Sequence, residues 1–478
     1  MLKAKIKRTL ISSSVRSMVF GSGAALALAI ANPALADEAA DEISILKEQL
    51  QIMMQRIEQL EQKQAQASKE QKDIQEDVAK VKDEVQTVPA NVVTAGDDPG
   101  SWKLPGSNTS ISLSGYIKGD LIYDLDADLG DTFFANAIPI DGTPRADQDN
   151  HTRLHARQSR LRVKTGTRLD DGVLLKTTFE GDFFGGGGNE SLSNSSSFRI
   201  RHAFGEYKTP SGSLLIGQTW TNFGDFFYAP VVDFSGPAGQ NFVRQGQIRY
   251  TLPSGISVSI ENPETDGTGA AGRLGESRGG IGSDELPDLV VAWSGKGGAE
   301  GAYSDVSYKV SGVVRSLGVD GIAPAGTLLA GTRLNDTKTG WGVSAGGNWA
   351  FGDDGSFFTI GGTYGDGVGR YMLNGLANEI FVNPDGSIDT VKSWGLTSGV
   401  SLKTSDTSSV NLSYGHFENE DPFQSNGEKR LQTIHANYMM SPWPATNFGF
   451  EVIYGKREIA GGADGDAIRL QFGAQRNF

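Results

Sequence analysis

The segment AIRLQFGAQRNF at residues 467–478 alternates with a period of two: Ile468, Leu470, Phe472 and Phe478 share one parity, and Arg469, Gln471, Gln475 and Asn477 the other. That period places the two sets on opposite faces of a strand. A soluble protein buries such an apolar face under a second layer. A membrane barrel turns it to lipid and turns the polar face to an aqueous lumen. A terminal strand closing on an aromatic residue is similar to the signal that outer-membrane proteins show to their insertion machinery. The first expectation is therefore an all-β transmembrane barrel.

Composition is compatible with this. The 478-residue chain has 63 Gly and no Cys. Beyond the N-terminus no apolar run approaches the length of a spanning helix, about 18 residues. A mean hydropathy of −0.30 suits a barrel, because half of each strand is polar. The absence of Cys excludes a disulfide framework and a thiolate metal site, and it suits an oxidising periplasm. Residues 1–36 read as a signal peptide. Lys3, Lys5, Lys7, Arg8 and Arg16 precede a run of small apolar residues, and Ala34-Leu35-Ala36 forms the cleavage site. Without that segment the chain carries 38 basic against 57 acidic residues, a net −19. Such acidity argues against nucleic acid as a partner.

Residues 37–88 are rich in Glu, Gln, Lys and Ala, with apolar residues at alternating steps of three and four: Ile43, Leu46, Leu50, Met53, Ile57 and Leu60. The frame continues through Gln64, Ala67, Gln71 and Ile74 to Val78, Val81, Val85 and Val88. A seam this narrow and long predicts a coiled coil, and Gln64 and Gln71 within it would fix register. Its first turns lean towards two strands, while a porin-type barrel leans towards three. Residues 89–110, with Pro, Gly, Asp and Ser, read as a linker.

From 111 to 478 the chain predicts about sixteen antiparallel strands. Tight joints at 170–172, 210–212, 253–255, 353–355 and 405–407 alternate with long ones near 126–152, 185–197, 222–243, 263–286, 316–336, 366–390 and 418–428. Short turns on one side and long loops on the other are the asymmetry of an outer-membrane barrel. Tyr207, Tyr250, Trp293, Trp341, Trp349, Trp394, Tyr414 and Tyr454 fall near strand ends, where interfacial girdles form.

Phasing each strand by its apolar parity predicts the lumen lining. Leu113, Ile117 and Leu121 outward leave Tyr116, Lys118 and Asp120 inward. Leu161 and Val163 outward leave Arg160, Arg162 and Lys164 inward. The next strand sends Lys176, Glu180 and Asp182 inward. Ile200 and Phe204 outward leave Arg199 and Arg201 inward. Ile248 and Tyr250 outward leave Gln247 and Arg249 inward, and Arg469 lies inward on the last strand. The expected result is a cationic wall that draws anions. Asp120, Glu180, Asp182 and Glu261 are the acids that would neutralise it. The connection 222–243 is unusually aromatic for an exposed loop. Phe223, Phe226, Phe227 and Tyr228 predict that it folds inward as a constriction, with Asp225 and Asp233 near the basic wall.

Five stretches carry a family resemblance: SGYIKGD (114–120) with Tyr123-Asp124, RQSRLR (157–162), RIRHAFGEY (199–207), LIGQTW (215–220) and VRQGQIRY (243–250). Together with the N-terminal coil they resemble the DcaP-type porins. The resemblance implies a homotrimer of sixteen-stranded barrels with periplasmic helices, in the outer membrane of a Gram-negative bacterium. It also implies passive diffusion of small organic anions such as dicarboxylates, with no cofactor and no catalysis. A coil acting as a periplasmic spacer, or touching peptidoglycan, is compatible with a pore, including a non-selective one.

An outer-membrane hydrolase is the alternative from another class, and it needs a nucleophile, a base and an orienting group. The five His (His151, His155, His202, His416 and His435) stand in no recognisable motif. Gly185–Gly188 lacks the strand-to-helix context of a phosphate cradle. Asp126, Asp128 and Asp131 read as solvated loop charge rather than a Ca²⁺ site.

Overall fold

The computed structural model describes residues 36–86, 92–169, 172–186, 193–271, 274, 280–297, 306–351, 354–372, 379–420, 422 and 427–478. The expected signal peptide, 1–36, lies outside them except for Ala36, the first residue of the helix described next. Two compact units divide at Val92/Val93. The first contains one helix, α1, Ala36–Gln86. Leu50, Met53, Ile57, Leu60, Ile74 and Val78 of the expected seam are all more than half exposed in the single chain.

The second unit is a closed antiparallel barrel of sixteen strands. They are β1 (Thr109–Asp124), β2 in two pieces (His151–His155 and Arg160–Arg168), β3 (Leu174–Asp182), β4 (Arg199–Thr209), β5 (Gly212–Trp220), β6 (Arg244–Thr251), β7 (Ile256–Glu261) and β8 (Asp288–Gly297). The series continues with β9 (Val306–Ile322), β10 (Arg333–Phe351), β11 (Ser356–Asp366), β12 (Lys392–Ser405), β13 (Ser408–Asn419), β14 (Glu428–Trp443), β15 (Thr446–Ile459) and β16 (Asp464–Asn477). Each pairs with its sequence neighbours, and β16 returns to β1 in a register running from Arg469↔Asp124 to Asn477↔Tyr116. That last pairing removes both sheet edges.

The period-2 pattern explains the burial. Ile117, Leu121, Leu161, Ile216, Ile248, Val343 and Leu470 face outward and are exposed, whereas Lys118, Asp120, Gln247, Ser344 and Gln471 on the other parity are buried. The tight turns use left-handed glycines, such as Gly255 (φ 85°) and Gly355 (φ 85°), where a side chain would be strained. One expected long connection, 316–336, is mostly strand, because β9 and β10 extend towards each other and leave only 323–332 as a loop. Segment 94–103 of the expected linker is also paired. Thr94–Ala95 joins Trp102–Lys103, which adds to the start of β1 through Trp102↔Ile111.

Candidate functional site: the constricted lumen

The connection 221–243 between β5 and β6 folds into the barrel and lies along the inner faces of β9 to β16. It is accepted there because those faces are small. A methyl group at Gly361 would stand 2.6 Å from the Phe227 ring, and one at Gly449 2.5 Å from Val232. At Gly399 and Gly415 it would run into the backbone of Ala229 and Ala238. Glycines inside strands mark such close backbone approaches. Polar partners then fix the loop. Gly224 N–H donates to Ser311 Oγ (2.8 Å), Ser413 Oγ to Ala229 O (3.0 Å), and Ala238 N–H to Thr433 Oγ1 (2.9 Å). The Glu451 carboxylate accepts the amides of Val232 (2.9 Å) and Asp233 (2.7 Å).

Two other loops fill the lumen around it. Phe133 and Ile138, from 125–150, and Val368, Tyr371 and Met372, from 367–391, join Phe223, Ala238, Phe417 and Ile453 in one buried apolar cluster. Tyr371 O accepts the Phe242 amide (3.0 Å), and its ring meets Phe223 edge-on at 5.1 Å. Burial holds the Tyr371 phenol protonated well above its ordinary range. Tyr371 Oη donates to Asp288 (2.5 Å), which also pairs with Arg315 (3.0 Å) and Arg370 (3.2 Å), while Arg315 reaches Glu379.

The opposite wall, β2 to β6, is basic. Arg201 donates Nε to Glu180 (2.8 Å) and Nη1 to Asp182 (3.0 Å). Arg199 holds Asp182 through two nitrogens at 2.9 Å each. Arg160 stands 3.4 Å from Glu180, which Arg162 also contacts. Arg244 has no carboxylate partner among the described residues and lies 4.8 Å over the Trp220 ring. Four guanidiniums thus meet two buried carboxylates and a fifth stands beside them, and aromatic faces cover the surplus charge: Phe234 lies 5.3 Å from Arg199 and 5.5 Å from Arg201. Cation–π contact of this kind stabilises a guanidinium without neutralising it. Between this wall and the loop lies a cavity of about 470 Å³, lined by Lys118, Arg160, Arg201 and Trp220 from the strands and by Phe226 and Phe234 from the loop.

Several expectations need correction. Phe204 faces the lumen, not lipid. A bulge pairs Gly181 with Ile200 and Glu180 with His202, so Arg201 is the extra residue and the parity beyond it reverses. Arg199, Arg201 and His202 consequently all point inward. Arg469 is inward but sealed at 0% exposure, held by Asp124 (2.6 Å), Asp233 (3.4 Å) and Gly130 O (2.8 Å). It joins two inserted loops to the wall and does not face passing solute. Asp233 is likewise buried and accepts from Thr132 Oγ1 (2.7 Å) and the Phe133 amide. Burial raises its pKa, but Arg469 and the bonds from Ser235 and Thr132 outweigh that and hold it below the usual carboxylate range. Asp225 lies beside a different cavity with Lys296. Glu261 forms no ion pair with an arginine among the described residues; it accepts from Thr221, Asn222 N–H, Gln245 and Ser259 and braces the root of the loop. Asp120 pairs with Lys118 at 2.9 Å, and Lys118 Nζ also reaches Val232 O (2.7 Å). Lys164 is exposed and Lys176 half-buried on the same parity, below the arginines, and Arg249 is half-buried on β6. Sequence reasoning missed Arg244, Trp220 and the glycine seat. The position of Arg244 at the mouth of the aromatic loop was the available signal.

A closed sixteen-stranded barrel with a long loop folded against its inner wall defines a porin-type outer-membrane channel. Residues 32–256 match the family described as DcaP outer membrane protein. The outer membrane channel DcaP of Acinetobacter baumannii shares the fold, with a TM-score of 0.64 at 23% identity over 80% of this chain and 100% of that one. Looser likenesses are an anion-selective porin from Comamonas acidovorans (TM-score 0.48, 14% identity, 77% and 100% covered) and OmpT of Vibrio cholerae (0.48, 13%, 78% and 99%). No curated protein sequence matches.

Proposed function

We propose that the chain is a passive, anion-preferring porin for small organic anions of the dicarboxylate class, working as a homotrimer with the N-terminal helices joined as a periplasmic coiled coil. The observation that carries this reading is the imbalance of five guanidiniums against two carboxylates on the wall facing the loop. Guanidinium groups keep their charge at any working pH and grip carboxylates through two parallel bonds. Aligned along a narrow passage they raise the local anion concentration and offer a series of weak sites. Aromatic cover beside them suits the carbon skeleton of an organic anion. The exposed apolar seam of α1 supports the coil, since such a stripe needs partners.

The test is reconstitution in a planar bilayer across a salt gradient. An anion-selective reversal potential is expected, and it should weaken when Arg160, Arg162, Arg199 and Arg201 become Gln. Cation preference would overturn the selectivity, and absence of conductance the pore itself. Deleting residues 37–88 tests assembly: a barrel that remains trimeric makes the coil accessory.

A further inference from the structure

Besides the cavity at the arginine wall there is a second, of about 440 Å³, lined by Asp225, Phe226, Phe227, Lys296, Tyr308 and Asn348 among others. Phe226 borders both cavities. Asp225 is the exposed carboxylate of the constriction loop, and among the described residues no cation lies within ion-pair distance of it. Its one hydrogen bond is accepted from the Phe226 amide, at 2.8 Å. Arg249 on β6 and Lys309 on β9 lie on the inward parity beside the same loop: Arg249 reaches Asn222, three residues before Asp225, and Lys309 is paired with Gly346, against which the Phe227 ring packs. Lys309 has no hydrogen-bond or ion partner among the described residues, and Arg249 touches only Asn222 Oδ1, at 3.4 Å. The other acids near Arg249 are engaged elsewhere. Glu261 accepts four bonds at the loop root, and Glu206 pairs with Lys208 at 3.2 Å.

We propose that this compartment is a second anion station, separate from the arginine wall, in which Asp225 is a tethered counter-ion. Arg249, Lys309 and Lys296 attract a small carboxylate, and the fixed charge of Asp225 opposes its residence. The physical need is plain: a conducting site must bind well enough to fill and weakly enough to empty. Cations left without any carboxylate in a confined, low-dielectric space would hold an anion too long. A carboxylate on the loop makes release fast without removing the attraction that brings the anion in. This rests on the anion-porin reading above and adds a second place where solute pauses, with the residue that sets how long.

The experiment uses the full-length protein in planar bilayers, with succinate as the probe against a chloride background. Asp225→Asn should lower the half-saturating succinate concentration by at least about fivefold, the effect of one unit charge about 4 Å away even under full screening by water, and lengthen the dwell time. Lys309→Gln should shift both quantities the other way. Arg201→Gln combined with Asp225→Asn should give additive shifts, as two separate stations require. Unchanged succinate binding in Asp225→Asn, with chloride conductance retained as proof of an intact channel, overturns the proposal. If the wild-type channel shows anion preference in that case, the porin reading stands and only the second station falls. A wild-type channel without anion preference overturns both.

Discussion

Arg201 divides its guanidinium between Glu180 and Asp182, at 2.8 and 3.0 Å, so that two buried carboxylates on β3 organise the whole arginine wall. Glu180 alone meets Arg160, Arg162 and Arg201. Removing its charge by Glu180→Gln should make the passage more anion-selective, because the wall gains one net positive charge. The same change should cost stability of about 3 kcal/mol, since buried guanidiniums lose their counter-charge. Reversal potentials and the unfolding temperature of the purified barrel check the two halves separately. A loss of anion preference would mean that the wall collapses when its acid is removed.

The glycine seat makes a sharper prediction. At Gly399 and Gly415 a Cβ would strike loop backbone, which cannot rotate away as a side-chain tip can. Gly399→Val should push the loop into the open bore and lower single-channel conductance while leaving the outer barrel surface unchanged. Gly246→Ala is the control, because nothing lies within 4 Å of its Cβ. Equal conductance in the two variants would mean that the seat does not hold the loop.

These two sites also show what the sequence can and cannot reveal. Inward placement of Arg160, Arg162, Arg199, Arg201 and Arg249 was legible because a strand has only two faces and the apolar one declares itself. Phe204 was misplaced because one extra residue at Arg201 reverses the parity beyond it, and nothing local announces a bulge. The sealed state of Arg469 and Asp233 was not legible, because it depends on where two loops come to rest inside the barrel. The aromatic run from Phe223 to Tyr228 did declare that its loop is buried. The receiving surface was also written in the sequence, as glycines on the inward parity of β10 to β16, but it read as mere richness in glycine.

Arg469 should therefore behave as a fastener. Arg469→Gln leaves Asp124 and Asp233 buried with less compensation, for a cost of about 3–5 kcal/mol, and should lower thermal stability more than Arg201→Gln while changing ion selectivity less. Asp233 adds a pH dependence. Its folded pKa lies below the ordinary carboxylate value. Its stabilising contribution is thus complete above the unfolded value of about 4 and is lost as pH falls through the folded one. Channel noise and thermal stability should be level from neutral pH down to about 5, and the anchor should fail only below about 4. A loosening between pH 7 and 5 that Asp233→Asn abolishes would contradict this sign.

Tyr371 ties the outer loop 367–391 to the constriction, and the two can be uncoupled chemically. Its hydroxyl donates to Asp288 and accepts from the Gln245 amide (3.2 Å), while its carbonyl takes the Phe242 amide and its ring supports Phe223. Tyr371→Phe keeps the ring and the carbonyl but deprives Asp288 of a donor, a loss of about 1–3 kcal/mol at a buried charged acceptor. Arg315→Met goes further, because it leaves Asp288 and Glu379 close together without the guanidinium between them, and costs about 3–5 kcal/mol. Both variants should raise the rate of brief closures and broaden the conductance levels, with Arg315→Met the stronger, and neither should alter the reversal potential. The ordering follows from the charge each removes from the cluster. Wild-type noise in both variants would show that the constriction is held by its glycine seat alone, with the outer loop resting on it without load.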